Sequence, residues 1–159
     1  MKEQFLKDLI AAKGAEQITL EVLRGLTNDY AFEDVSNVCS LFKRGDIKVI
    51  DKTTGKEFYI DVKDDSRIAD TGNVLCEELV YYKTSGYEAN GFMYSDYDIL
   101  AIVSKSERKI YIIDFKILQK NYRKGEYKRI DHQYQYSITF LCGLHQIKSW
   151  GALITTLDY

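Results

Sequence analysis

Apolar and polar positions follow two different periods along the chain. From Lys2 to about Thr27 the apolar side chains recur at helical spacing, which predicts an opening helix, either continuous or broken once. Alternation with a period of two follows, and it predicts β-strands separated by polar or glycine-containing turns. A later segment, HQYQYSITFLCGLHQI, fits either a helix or a strand. The predicted strands lie in residues 45–63, 73–82, 98–103 and 109–115 and in the last ten residues.

This order of elements, a helix followed by several strands and a mixed C-terminal part, predicts an α+β or α/β fold. We expect a mixed central sheet with helices packed against it. A chain of 159 residues suffices for one domain with a core and is short for two, so we predict a single domain over residues 1–159.

Several features indicate a soluble, cytoplasmic protein. No apolar run approaches the length of a membrane span, and the N-terminal segment lacks the apolar core of an export signal. The three cysteines, Cys39, Cys76 and Cys142, are far apart and have apolar neighbours, which predicts reduced core thiols.

The formal net charge of −2 excludes a polycation that coats nucleic acid indiscriminately, so any contact with DNA must come from a local patch. Basic side chains are concentrated between residues 116 and 129, interleaved with Tyr122 and Tyr127. This mixture suits phosphate contacts and base stacking, although a solvated helix or loop carries similar charge. The candidate DNA-binding residues are Lys116, Lys120, Arg123, Lys124, Lys128 and Arg129.

Residues 45–63 place two acidic residues and a lysine at one end of a predicted hairpin. In a strand, residues two apart share a face, so Asp61 and Lys63 point to the same side of the sheet. If the turn is centred on its Thr-Gly step, Asp46 lies opposite the end of the second strand. Two carboxylates and an ammonium group then converge.

Oxygen ligands in this arrangement suit a hard divalent cation. Magnesium takes one or two carboxylates and completes its shell with water and substrate phosphate oxygens. Asp46, Asp61 and the backbone carbonyl of Val62 are therefore candidate ligands for Mg²⁺ or Mn²⁺. Lys63 would position the attacking water or help to deprotonate it, and would offset charge in the transition state.

The spacing of these residues also resembles a known nuclease signature. Asp46, fourteen intervening residues and then Asp61-Val62-Lys63 are similar to the D-x(n)-(D/E)-x-K signature of the PD-(D/E)XK nuclease superfamily, with RGD in place of the less constant PD. Three further segments resemble strands of small phage-type members of that superfamily: TGNVLCEE, GFMYSDYDILAIV and KIYIIDFKIL.

The resemblance implies a restriction-endonuclease-like fold, magnesium-dependent hydrolysis of DNA phosphodiester bonds and often a homodimer. It places the upstream glutamate of the family on Glu21, with Glu16 as the second choice. The resulting hypothesis is a metal-dependent deoxyribonuclease, compatible with resolution of branched DNA such as Holliday junctions. Its catalytic residues would be Asp46, Asp61, Lys63 and Glu21. The resemblance implies that Glu21, together with Asp46 and Asp61, holds one or two Mg²⁺ ions.

Three questions remain open from the sequence. A second predicted hairpin repeats the same pattern with Asp98, Asp114 and Lys116. We favour the first hairpin because a helix with a candidate glutamate precedes it and strands remain to complete the sheet. Glu77 is either a further acidic group near the metal or an exposed residue on a strand edge. The rival function is a catalytically inactive module of nuclease fold that binds DNA or a protein partner.

Overall fold

The computed structural model describes residues 2–41, 44–82, 84–122, 128–132 and 137–159. Within these ranges the helices are α1 (Lys2–Leu26), α2 (Ile68–Thr71), α3 (Phe115–Asn121) and α4 (Leu144–Ser149), with 3₁₀ turns at Cys39–Leu41 and Phe92–Tyr94. The strands are β1 (Tyr30–Asp34), β2 (Ile47–Asp51), β3 (Glu57–Asp64), β4 (Asn73–Tyr82), β5 (Gly86–Glu88), β6 (Ile99–Ser104), β7 (Lys109–Asp114), β8 (Lys128–His132), β9 (Ser137–Gly143) and β10 (Leu153–Asp158).

The described strands form two sheets. The larger sheet has the order β1-β2-β3-β6-β7-β10, and the smaller sheet has the order β5-β4-β9-β8. Neighbouring strands pair antiparallel except β3 and β6, which run parallel. A parallel pair needs a crossover connection, and here it contains α2, β4 and β5. The larger sheet is therefore mixed.

Two apolar clusters cover the two faces of the larger sheet. On one face α1 packs through Ala15 and Leu20 against a cluster that includes Val62 of β3. On the other face Leu100 of β6 belongs to a cluster shared with Cys76 of the smaller sheet and with α3 and α4. Residues 100–104 of β6 are all buried, which places this strand at the centre of the sheet.

This architecture confirms the predicted fold class, an α+β fold with a mixed central sheet and helices against it. The opening helix is continuous to Leu26, and the ambiguous C-terminal segment contains both a strand, β9, and a helix, α4. Strand β1 was not predicted, because YAFED lies in a polar passage and forms an edge of the sheet. None of the helices in the described ranges is both long and apolar enough to cross a membrane.

Candidate active site

The candidate site begins at the hairpin of β2 and β3. Ile47 pairs with Ile60, so the preceding residue, Asp46, lies opposite Asp61. The amide of Asp46 donates to the carbonyl oxygen of Ile60 at 2.8 Å, which extends the ladder by one residue. The hairpin thus has the register that its turn residues predict, and both carboxylates lie at the same end.

The turn that sets this register is closed by Asp51. Its carboxylate accepts the amide of Thr53 at 2.8 Å and that of Thr54 at 2.9 Å. Hydrogen bonds from the Thr54 and Thr53 amides hold the pKa of Asp51 below its ordinary value. Gly55 follows with a φ of 70°, a conformation that glycine adopts without steric cost.

A backbone amide holds the side chain of Asp46 in place, and the surroundings of its carboxylate disfavour the negative charge. Its Oδ2 atom accepts the amide of Val62 at 2.8 Å. Burial raises the pKa of Asp46, the carboxylate of Asp61 raises it further, and the Val62 amide and the ammonium groups of Lys63 and Lys13 only partly oppose these effects. Two carboxylates in one buried site disfavour full ionisation, and a bound cation would relieve this repulsion.

The raised pKa of Asp46 predicts a pH-dependent stability. The folded protein holds the Asp46 proton more tightly than the unfolded chain does, so this contribution is full below the ordinary aspartate pKa and is lost as the pH rises through the raised value. We expect Asp46→Asn to unfold at a higher urea concentration than the unaltered protein at pH 7 without metal. The gain should shrink towards about pH 4.

Asp51→Asn is the matched control for this experiment, because the pKa of Asp51 is shifted in the opposite direction. A lowered pKa contributes stability above the ordinary value, and this contribution is lost as the pH falls. Asp51→Asn should therefore lower the urea midpoint at pH 7. If Asp46→Asn lowered the urea midpoint at pH 7, burial and the charge of Asp61 would not disfavour the ionised form of Asp46.

Lys63 contacts the pair from the same face of β3. Its Nζ lies 2.7 Å from Oδ2 of Asp61 and 5.6 Å from the centre of the Phe92 ring. Burial lowers the pKa of Lys63, but the carboxylates of Asp61, Asp46 and Glu77 outweigh burial and raise it above its ordinary value. Lys63 is therefore a charged ammonium group at neutral pH.

A cavity of about 220 Å³ contains these groups. Asp46, Asp61 and Lys63 line it from the hairpin, and Glu77 lines it from β4 of the smaller sheet. Glu77 therefore belongs to the cavity wall and not to an edge strand, because β4 lies between β5 and β9; a position near a metal stays a prediction. The other lining residues are Ser36, Gly45, Asn90, Phe92 and Ser95.

Tyr97, a buried residue close to Asp61, was not predicted as part of the site. Its side chain is 1% exposed and stacks on Phe115 with ring centroids 4.0 Å apart. Burial raises the pKa of the Tyr97 hydroxyl well above its ordinary value, and the charge of Asp61 adds to this effect. The hydroxyl therefore stays neutral. Its local sequence does not distinguish Tyr97 from the other tyrosines.

The structure does not bring Glu21 to the cavity. Glu21 is exposed on α1 and accepts a hydrogen bond from Gln17 at 2.7 Å. Glu16, five residues earlier and about 140° around the helix, is 8% exposed. It pairs with Nζ of Lys13 at 2.8 Å, and the same Nζ donates to Ser36 of the cavity wall at 2.6 Å. Neither glutamate lines the cavity, but Glu16 is connected to its wall through Lys13 and Ser36, so a role for either glutamate stays a prediction.

Because the two glutamates make different contacts, their substitution should affect the cleavage rate differently. Under the nuclease hypothesis, Glu16→Gln should lower metal-dependent DNA cleavage about ten-fold, because it removes the charge that holds Lys13 beside the cavity. Glu21→Gln should leave the cleavage rate unchanged, since its carboxylate contacts Gln17 on the exposed side. Initial rates of both variants under identical conditions check this, and a larger loss in Glu21→Gln would contradict it.

The second hairpin, β6 and β7, uses its acidic residues in structural contacts. Asp98 accepts a backbone amide of β3 at 2.9 Å, and Asp114 accepts a backbone amide in the first turn of α3 at 2.9 Å. Lys116 pairs with Asp96 at 2.6 Å. Asp98, Asp114 and Lys116 line a separate cavity of about 420 Å³. Both carboxylates of this hairpin thus hold neighbouring backbone in place.

The predicted basic patch is described only in part. Lys116 and Lys120 lie on α3, and Arg129 is exposed on β8, an edge strand of the smaller sheet. The residues of the patch that lie outside the described part are Arg123, Lys124 and the side chain of Lys128. DNA binding by this patch therefore stays a prediction.

The residues present fit a cation with few protein ligands. The described part of the chain contains no group of three or more His, Cys, Asp and Glu side chains placed to hold a metal ion. Oδ2 of Asp61 is buried and lies 2.7 Å from the ammonium nitrogen of Lys63, so it carries negative charge inside the cavity. Since Mg²⁺ needs only one or two carboxylates beside water and phosphate oxygens, Asp46 and Asp61 suffice.

Comparisons with known proteins leave the family of this chain open. No protein-family model and no curated protein matches the sequence. The fold resembles that of a bacterial homing endonuclease. The structure of that protein, I-Ssp6803I, aligns with a TM-score of 0.49 and 12% sequence identity over 80% of this chain and 86% of the other. A structural similarity of this extent gives no information about activity.

Proposed function

We propose that this protein is a metal-dependent deoxyribonuclease of the PD-(D/E)XK type, which hydrolyses DNA phosphodiester bonds with Mg²⁺ or Mn²⁺. The observation that carries the proposal is the meeting of Asp46, Asp61 and Lys63 in one cavity, through the register of β2 and β3. Paired carboxylates beside a charged lysine suit a reaction in which negative charge develops on a phosphate.

The residues of the site have distinct roles in this proposal. Asp46 and Asp61 would hold the cation, with the carbonyl of Val62 as a further oxygen ligand. The cation, when bound, supplies Lewis acidity to the phosphate and to the attacking water. Lys63 orients that water through Nζ and offsets the charge of the transition state. The Val62 amide keeps Asp46 in position through its 2.8 Å hydrogen bond.

Cutting a duplex or a four-way junction requires two such sites, because a single site cuts a single strand. A two-fold homodimer supplies two sites in opposite orientations. The exposed Arg129, with the other basic residues of the predicted patch, would then hold backbone phosphates.

A cleavage panel tests the proposed function. Labelled single-stranded, duplex, flapped and four-way-junction DNA are incubated with the protein and Mg²⁺, Mn²⁺ or EDTA. We expect cutting with either cation and none with EDTA, and the preferred substrate identifies the activity. Binding of any of these DNAs without cutting under every condition would favour the inactive binding module instead.

A further inference from the structure

Glu77 faces the candidate site from the smaller sheet. It lines the cavity that contains Asp46 and Asp61, and it also lines an adjoining cavity of about 310 Å³. Lys63 and Phe92 line both cavities as well. The charge of the Glu77 carboxylate acts on Lys63 and raises the pKa of that lysine. The mechanism above leaves this carboxylate without a role.

The backbone presents Glu77 through an irregularity in β4. The pairing of β4 with β9 shifts its register between Glu77 and Leu79, as in a β-bulge, which redirects side chains. Gly91 lies directly against this point, because a Cβ atom on it would be 2.3 Å from the carbonyl oxygen of Glu77. Its amide also donates to Glu78 at 2.9 Å. The segment that carries Phe92 is therefore packed against the backbone of Glu77.

A cation at the carboxylate pair would compete with Lys63 for the same oxygen. Nζ of Lys63 lies 2.7 Å from Oδ2 of Asp61, so a cation bound there meets a positive charge at close range. The Lys63 side chain is 41% exposed, and its four-carbon stem has freedom to turn. Besides the carboxylate pair, the cavity wall offers an ammonium group the Glu77 carboxylate and the face of the Phe92 ring.

We propose that Glu77 is a positioning residue for Lys63: it accepts the ammonium group when a divalent cation occupies Asp46 and Asp61, and it keeps that group inside the cavity. This inference rests on the proposed function, because it requires a cation at the pair. It assigns a role to the irregularity in β4 and to the close packing of Gly91, which lie at the residue that lines the same two cavities as Lys63.

A double-mutant cycle on cation affinity tests the inference without DNA or cleavage. Mn²⁺ is titrated into the unaltered protein, Glu77→Gln, Lys63→Met and the double variant, and free Mn²⁺ is measured by its electron paramagnetic resonance signal. Glu77→Gln should weaken Mn²⁺ binding about ten-fold, because Lys63 then remains on Asp61. In the Lys63→Met background the same change should alter affinity by less than about two-fold.

Glu57→Gln is the matched control, since it removes one negative charge that pairs with Lys48 at 2.6 Å elsewhere on the larger sheet. It should leave Mn²⁺ affinity unchanged. An equal loss of Mn²⁺ affinity from Glu77→Gln in both backgrounds would make Glu77 a direct ligand of the cation. No loss in either background would mean that Glu77 has no part in cation binding. Either result would overturn this inference and leave the proposed function standing. Absence of Mn²⁺ binding by the unaltered protein would overturn the proposed function with it.

Discussion

Asp61→Asn is expected to abolish metal-dependent cleavage, with a loss of at least about a thousand-fold in rate. Asp61 is 8% exposed, and asparagine fits the same space, so the fold should persist. The change removes one of two carboxylates and replaces a carboxylate oxygen by an amide nitrogen. A cation site with two protein carboxylates does not tolerate this loss, and Lys63 also loses its ion-pair partner.

A second readout separates loss of metal from loss of chemistry. A ligand that binds only the folded state raises the unfolding temperature by mass action. The unaltered protein should unfold at a higher temperature with millimolar Mn²⁺ than with EDTA, and Asp61→Asn should show no such gain. If Asp61→Asn gained as much as the unaltered protein, Asp61 would not be a ligand.

Asp114→Asn is the matched control for Asp61→Asn. Asp114 caps α3 by accepting the amide of Ile117 at 2.9 Å, and asparagine caps helices about as well as aspartate. Both the cleavage rate and the stability should therefore stay close to those of the unaltered protein. Loss of cleavage in Asp114→Asn with full activity in Asp61→Asn would move the site to the second hairpin.

The hairpin of β2 and β3 was predictable because its determinants are local. Asp51 and Gly55 close the turn, the turn sets the register, and the register places Asp46 opposite Asp61. Alternation along β3 then puts Lys63 on the same face as Asp61. Nothing distant in sequence is needed to bring these three side chains together.

The positions of Glu16 and Glu77 depend on packing that the local sequence does not specify. The face of α1 that packs on the larger sheet includes Ala15 and Leu20, while Ile10 is 72% exposed although it fits the helical pattern equally well. This phase buries Glu16 and leaves Glu21 exposed. Glu77 reaches the cavity because β4 pairs with β9, which lies about sixty residues further along the chain.

The second large effect is expected from Gly45→Ala, at the residue before Asp46. Gly45 is buried with a φ of 116°, a conformation that alanine rarely adopts. A Cβ atom there would lie 2.6 Å from the carbonyl oxygen of Ile60, the same oxygen that accepts the Asp46 amide. Strain and steric overlap together should cost about 3 kcal/mol or more of unfolding free energy.

The same substitution should also reduce cleavage by about a hundred-fold, because relief of the overlap moves Asp46 away from Asp61, and small displacements of a catalytic group are costly. Gly55→Ala is the control within the same hairpin: its φ is 70°, and a Cβ there meets nothing within 4 Å. It should cost only about 1 kcal/mol and leave the cleavage rate intact. Cleavage rates are measured with saturating Mn²⁺ and are divided by the folded fraction of each variant. A rate that stays low after this correction reports displacement of Asp46 and not unfolding. Equal effects of the two substitutions would mean that Gly45 does not set the position of Asp46.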